Sequence, residues 1–251
     1  MIEGQEKPRS DLGVRTASAV VMVAVAGSAL WLGGLFWQAF AAIVGIGVFV
    51  EWMLLAVKFE KRIFLRLAWA FGGAIYIGCA ATLLGLLGTI PDDGVYAVVK
   101  ILLAVIFTDI GAYAAGRTFG GTKIAPLISP SKTWSGLGGG MIATAALGVV
   151  VTYFMHQTEL TQYAKYVGEH GTPTDWGFDG WLWGKGIIIG CGIAVVAQAG
   201  DFFQSWMKRR AGVKDSGKLL PGHGGLFDRV DGLIAVLFVI AIMDFGIIGS
   251  S

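Results

Sequence analysis

Charged side chains are scarce in this 251-residue chain: Asp, Glu, Lys and Arg make up 14% of it, against 55% hydrophobic residues. A soluble domain carries about 25% charge and ~45–50% apolar residues, so composition alone excludes an ordinary soluble globule. Proline is rare too, at 6 residues, and the long apolar runs are the opposite of what disorder requires. There are only two cysteines, Cys79 and Cys191, both inside apolar runs, which argues against a disulfide framework and against a thiolate zinc site. A net charge of only +2 creates no global field for nucleic acid. Glycine, in contrast, is abundant at 39 residues, roughly twice its usual ~7% share. It shows no Gly-X-Y period, so collagen is excluded. What remains is an all-α polytopic membrane protein without a soluble domain.

The runs themselves set the span count. Between Arg15 and Lys58 the only charge is Glu51. As one helix this stretch would extend about 63 Å, twice the ~30 Å hydrocarbon core, so it must fold back into two spans. The break is expected near Gly33-Gly34, flanked by Trp31 and Trp37 as interfacial anchors. Five further spans follow near 66–90, 95–115, 136–156, 183–206 and 230–249, which predicts about seven, within a range of seven to nine. The chain then divides into a cytoplasmic segment (1–15), N-terminal transmembrane helices (16–94) and a C-terminal transmembrane catalytic region (95–251). With the N-terminus in the cytoplasm, all 19 basic residues except Lys100, Lys165 and Lys185 fall on the cytoplasmic side. Acids such as Asp92, Asp93, Glu159 and Asp175 fall on the other.

Ionisable groups within spans are costly, by ~2.5–3.5 kcal/mol each on the insertion scale, and are functional candidates for that reason. Asp109, Asp201, Asp228 and Asp231 all lie at cytoplasmic span ends. Asp228 and Asp231, at i and i+3, share one helical face. Carboxylates without a histidine or cysteine cluster suit a hard cation such as Mg²⁺, which keeps bound phosphate and water. The loop from Ser205 to Asp231 adds Lys208, Arg209, Arg210, Lys214, Lys218 and Arg229, with Pro221-Gly222-His223-Gly224-Gly225 as a tight turn. Metal carboxylates beside phosphate-binding cations are what phosphoryl or nucleotidyl transfer needs. The alternative, a basic loop gripping anionic headgroups, leaves those acids unexplained. Upstream, Arg117, Lys123, Ser129, Lys132 and Thr133 form a second cytoplasmic stretch. It lacks the Gly-Lys-Ser/Thr ending of a P-loop, and Ser129 and Thr133 either bind phosphate or cap the fifth span. Glu51 either joins the cavity or packs against a polar partner. The glycines from Gly136 to Gly140 allow close helix packing.

Ser205 to Asp231 reads Ser-x-apolar-Lys-Arg, then Lys-Asp, then His-Gly-Gly-apolar-x-Asp-Arg-x-Asp, and so resembles the signature of phosphatidate cytidylyltransferases (CDP-diacylglycerol synthases). Gly200-Asp201, the block from Asp109 through Tyr113 to Arg117, and Ser129-Pro130 through Lys132-Thr133-Trp134 to Gly136 resemble further motifs of that family. This chain departs at Ser131 and Ser135, where Lys and Glu are common. The resemblance implies transfer of CMP from CTP to phosphatidic acid, giving CDP-diacylglycerol and pyrophosphate, by an all-helical homodimer. The compact size and uncleaved start lead us to expect a bacterial inner membrane, with a mitochondrial inner membrane as the alternative. It implies that Asp201 and Asp228 hold Mg²⁺, with Asp231 nearby or on a second, monovalent cation. Lys208 would act with them in catalysis. Arg209, Lys214 and Arg229 would bind the triphosphate or the lipid headgroup, and His223 phosphate or the turn. Ser205, Asp109, Arg117 and Lys132 join the substrate-binding set by their place in the same blocks.

Two rival enzyme classes and a transporter can be weighed. CDP-alcohol phosphotransferases share Asp228-x-x-Asp231-Gly232-x-x-Ala235, but their next Arg is Val236 here and their final Asp would lie beyond the chain. A CTP-dependent lipid kinase would share nucleotide and metal and release CDP instead of pyrophosphate. A transporter prefers its acids near the midplane on broken helices.

Overall fold

Glycine divides the first apolar run where the helix-length argument requires. In the computed structural model, which describes residues 12–91, 93–167, 180–220 and 224–248, α1 (Leu12–Leu32) ends at Gly33 and α2 (Gly34–Phe59) begins at once. Gly33 and Gly34 have φ of 62° and 48°, a left-handed region that side chains with Cβ rarely enter. Then come α3 (Ile63–Leu87), α4 (Gly94–Phe119), α5 (Trp134–Val167), α6 (Gly180–Arg210) and α7 (Phe227–Ile248). These seven helices fall on the seven expected spans.

Among the described residues six helices are long and apolar enough to cross a bilayer. α7 is not among those six; Asp228, Arg229 and Asp231 crowd its first turns and Asp244 lies near its end. The outward faces are apolar: Val23 is 73% exposed, Phe64 78% and Ile142 73%. Such an expanse belongs against lipid. α5 and α6, at 34 and 31 residues, run past the expected span ends at 156 and 183, and α5 continues to Val167. A short antiparallel hairpin of β1 (Lys123–Ala125) and β2 (Ser129–Thr133) stands where only a loop was expected.

The described chain forms two compact units. Met1–Ala97 with Gln204–Ser251 makes the first, and Val98–Phe203 the second. In the first, α2 packs on α3 and α3 on α7, with α1 against α2. The buried face of α7 runs from Ile234 to Leu237 and on to Ala241. Trp52 sits at the junction of these helices. Its indole N–H donates to the Trp69 carbonyl at 3.0 Å, and its ring lies 6.0 Å from Phe227 and 5.8 Å from Tyr76. Gly73 makes this possible, because a Cβ there would overlap the Trp52 indole.

In the second unit the helices meet along small residues. Gly111 faces Gly139, Gly116 faces Gly136, and Gly140 lies against the backbone of Thr108. Between α5 and α6, Gly148 meets Gly186, and Gly190 meets Thr144 and Ala145. Without a hydrophobic driving force between helices in lipid, close backbone approach and polar contacts hold such an interface. The Thr108 and Thr144 hydroxyls add one, 2.7 Å apart and buried. Thr133 resolves the choice left open by the sequence: its Oγ1 accepts from the Gly136 N–H at 3.1 Å and caps α5.

The glycine seams lead to a direct test. Gly148→Ala, whose new methyl meets the Gly186 backbone, is expected to lose about 1–3 kcal/mol of stability. Gly138→Ala meets nothing within 4 Å and is expected to be neutral or mildly stabilising. Thermal unfolding in detergent micelles compares the two, and equal midpoints would contradict the packing described.

Candidate active site

The first unit gathers its polar groups at the start of α7. Leu226 precedes that helix and has no side-chain acceptor, so the first helical N–H groups need a partner from elsewhere. Glu51, 4% exposed on α2, supplies it, accepting from the N–H groups of Leu226 and Phe227, both at 2.9 Å. The carboxylate also lies at the positive end of the helix dipole. Its Oε2 accepts in addition from the Ser216 hydroxyl at 2.7 Å. Gly217 and Gly225 pack over it, where any Cβ would strike the carboxylate. Of the two readings of Glu51, the polar-partner one is what the structure shows.

One turn further, Asp228 is the hub. Its Oδ1 accepts from Gln204 Nε2 at 2.7 Å and Lys208 Nζ at 2.8 Å. Its Oδ2 accepts from the Ser216 N–H at 2.8 Å, the Ser216 hydroxyl at 3.0 Å and the Gly225 N–H at 3.0 Å. The Lys208–Asp228 ion pair is largely buried, with side chains 17% and 8% exposed. The loop reaches this point through a tight exit from α6. Gly212 takes φ 67°, its N–H bonds to the Arg209 carbonyl, and the Val213 N–H bonds to that of Lys208. Gly224, at φ 83°, pairs with Leu220 on the way back. Asp231 follows on α7, within electrostatic reach of Tyr76, its Oδ1 accepting from the Gly232 N–H at 2.8 Å. Ser205 and Arg209 lie on α6 in this unit, and Arg229 on α7. Lys214 is exposed on the loop. His223 lies outside the described residues.

The second unit holds a cavity of about 540 Å³, lined by Asp109, Tyr113 and Arg117 of α4, by Lys132 and Thr133 of β2, and by Gln198 of α6. Lys132 pairs with Asp201 at 2.5 Å, and both lie within electrostatic reach of Asp109. Arg117 donates to the Tyr113 hydroxyl at 2.6 Å. Thus Asp109, Arg117, Lys132 and Asp201, separated by up to 92 positions in sequence, are gathered within one unit. α6 serves both units, giving Asp201 to the second and Gln204 and Lys208 to the first.

Hard divalent cations take carboxylate oxygens and keep substrate phosphate and water in the remaining positions. Asp201 and Asp109 fit that chemistry, since Asp201 is 31% exposed and Asp109 opens onto the cavity. Asp228, expected from the resemblance as a ligand, accepts from Gln204, Lys208 and the Ser216 and Gly225 N–H groups in this arrangement, and shares the one Ser216 hydroxyl proton with Glu51. Among the described residues no three His, Cys, Asp or Glu side chains cluster as a ready-made metal cage. Gln204, Ser216 and Gln198 were not singled out by sequence reasoning. For the two glutamines the available signal was an amide inside an apolar span, the same polarity argument that picked out the acids.

Three comparisons bear on this arrangement. The model of the cytidylyltransferase family matches residues 52–245. A phosphatidate cytidylyltransferase of Brucella suis biovar 1 (strain 1330) is 31% identical over 268 aligned positions, covering 90% of each chain. One of Rickettsia felis (strain ATCC VR-1525 / URRWXCal2) is 32% identical over 241, covering 94% of this chain and 95% of its own.

Removing the Glu51 carboxylate strands buried donors at the start of α7. Glu51→Ala is therefore expected to destabilise the protein by about 2–4 kcal/mol, given ~1–3 kcal/mol for each unsatisfied buried group and partial relaxation. Thermal unfolding in detergent measures it. A midpoint within a degree of the parent would show that the carboxylate does not hold α7.

Proposed function

This chain belongs to the cytidylyltransferase family, and we propose that it is a phosphatidate cytidylyltransferase, moving the cytidylyl group of CTP onto phosphatidic acid. An oxygen of the lipid phosphate attacks the α-phosphorus of CTP. A new P–O–P bond forms, the α–β bond breaks, and the electron pair leaves with pyrophosphate, giving CDP-diacylglycerol. The nucleophile is already anionic, so the reaction needs no activated Ser, Cys or His. Its difficulty lies in bringing anions together and stabilising the charge on the departing phosphates, which is a matter of position and electrostatics.

The observation that carries this reading is the cavity of the second unit, where Arg117 and Lys132 stand beside two carboxylates at a space of about 540 Å³. The cations suit the triphosphate. Asp201 with Asp109 suits a divalent cation, Mg²⁺ by its oxygen preference, which when bound neutralises phosphate charge during displacement. In the first unit Asp228 holds the Lys208 ammonium in one direction and orders Ser216 and Gly225. Arg209, Lys214 and Arg229 surround that centre in sequence and supply further positive charge for a phosphate headgroup. Asp231 and, on the family resemblance, a second cation complete the proposed set.

The protein spans the membrane several times. The asymmetry of basic residues supports a cytoplasmic N-terminus and site, and the bacterial relatives support an inner membrane. The resemblance supports a homodimer as the working form.

The test uses detergent-purified protein with CTP, phosphatidic acid and Mg²⁺, with pyrophosphate and CDP followed separately. Lipid-dependent pyrophosphate release is expected, and Asp201→Asn is expected to lower it by roughly 10²- to 10³-fold. CDP release in place of pyrophosphate would make the protein a lipid kinase.

A further inference from the structure

Gln198 is a buried polar side chain of the second unit's cavity whose chemistry the proposed reaction leaves unused. It lies on α6, one helical turn before Asp201, and is 3% exposed. Neither its Nε2 nor its Oε1 has a hydrogen-bond partner. Yet it lines the cavity that also receives Asp109, Arg117 and Lys132. A buried amide with both ends unsatisfied is costly, and protein interiors rarely tolerate one without a reason. The assignment of nitrogen and oxygen does not affect this, because both atoms are unpaired. Space is kept for the amide: a Cβ added at Gly140 would press on Nε2 at 3.1 Å and on the Thr108 carbonyl at 3.0 Å.

The partner this amide needs must both donate and accept within a few ångströms. Ionised phosphate groups only accept, and so do the ester oxygens of a diacylglycerol. Either would satisfy Nε2 and leave Oε1 stranded. The edge of cytosine offers an amino N–H next to a ring nitrogen that accepts, in one plane, which matches a primary amide at both atoms. We propose that Gln198 binds the cytosine base of the nucleotide, its Oε1 accepting from the exocyclic amino group and its Nε2 donating to the ring nitrogen. This deepens the function proposed above and rests on it. The cations Arg117 and Lys132 then serve the phosphates of the same molecule, with the base at the amide.

A buried amide that only a bound partner would satisfy makes an unusual stability prediction. Gln198→Leu replaces an unsatisfied amide by an apolar group of similar size, so the nucleotide-free protein is expected to unfold at the same temperature or higher. Its KM for CTP is expected to rise roughly 10- to 100-fold, while KM for phosphatidic acid stays unchanged. The specific readout is a CTP analogue lacking the exocyclic amino group. The parent enzyme is expected to favour CTP over it by about tenfold or more, and Gln198→Leu to lose most of that preference. Gln198→Asn, one methylene shorter, serves if the leucine variant does not fold, and is expected to lose the same preference.

The outcomes separate cleanly. Unaltered discrimination between CTP and the analogue in an active variant overturns the assignment and leaves the amide to an ordered water. A lost preference for CTP over dCTP with the analogue preference intact overturns it in favour of the ribose hydroxyls. A raised KM for phosphatidic acid alone overturns it in favour of the lipid. If the parent enzyme releases no pyrophosphate with CTP and phosphatidic acid, it is the underlying function that fails.

Discussion

Two carboxylates hold the beginning of α7, and the arrangement of the first unit depends on them. Glu51 accepts from two backbone N–H groups, Asp228 from two side chains and two backbone N–H groups, and the Ser216 hydroxyl lies between the two carboxylates. The physical pressure behind this is burial, with Glu51 4% and Phe227 1% exposed. A helix that starts with Leu226 and Phe227 cannot cap itself, and donors left unpaired in such a setting are penalised by the full loss of hydration. Glu51 answers from α2, more than 170 positions away in sequence. Asp228 then locks Lys208, Gln204 and the returning loop into one hydrogen-bonded centre. Glycines at 217 and 225 matter for the same reason, since side chains there would occupy the carboxylate's place.

The second unit is built on a different principle. Its helices approach until backbone meets backbone at Gly111–Gly139 and Gly148–Gly186, and the stability comes from close contact. This packing gathers Asp109, Arg117 and Lys132 around one cavity, with Asp201 paired to Lys132. Opposite charges placed side by side within a unit cut from lipid-facing helices offset one another's desolvation only in part. That remaining polarity is of use to an enzyme whose substrates carry several negative charges. The reaction asks the protein mainly to position anions, so polarity without a conventional nucleophile is what the chemistry calls for.

Several residues show why structure was needed beside the pattern. Thr133 and Ser129 occupy similar positions in the motif, but only the backbone path decided that Thr133 caps α5 while Ser129 is buried in the hairpin. Glu51 had two open readings because its partners lie at the opposite end of the chain. Gln198 resembles any polar residue on a helix until its burial and lack of partners are known. Asp228 was a candidate from its spacing, whereas the donors that occupy its two oxygens were not legible there.

Hydropathy alone determined the membrane class, the seven helices and the break at Gly33-Gly34, because apolar length and bilayer thickness are local quantities. Motif spacing alone brought the candidate acids and cations to notice, because the signature residues lie within short segments. The tertiary structure decided what those residues do to one another: which carboxylate caps a helix, which holds a lysine, which opens onto a cavity and which amide is left waiting. Those outcomes depend on contacts between segments far apart in the chain and on burial, and neither is written in any local stretch of sequence.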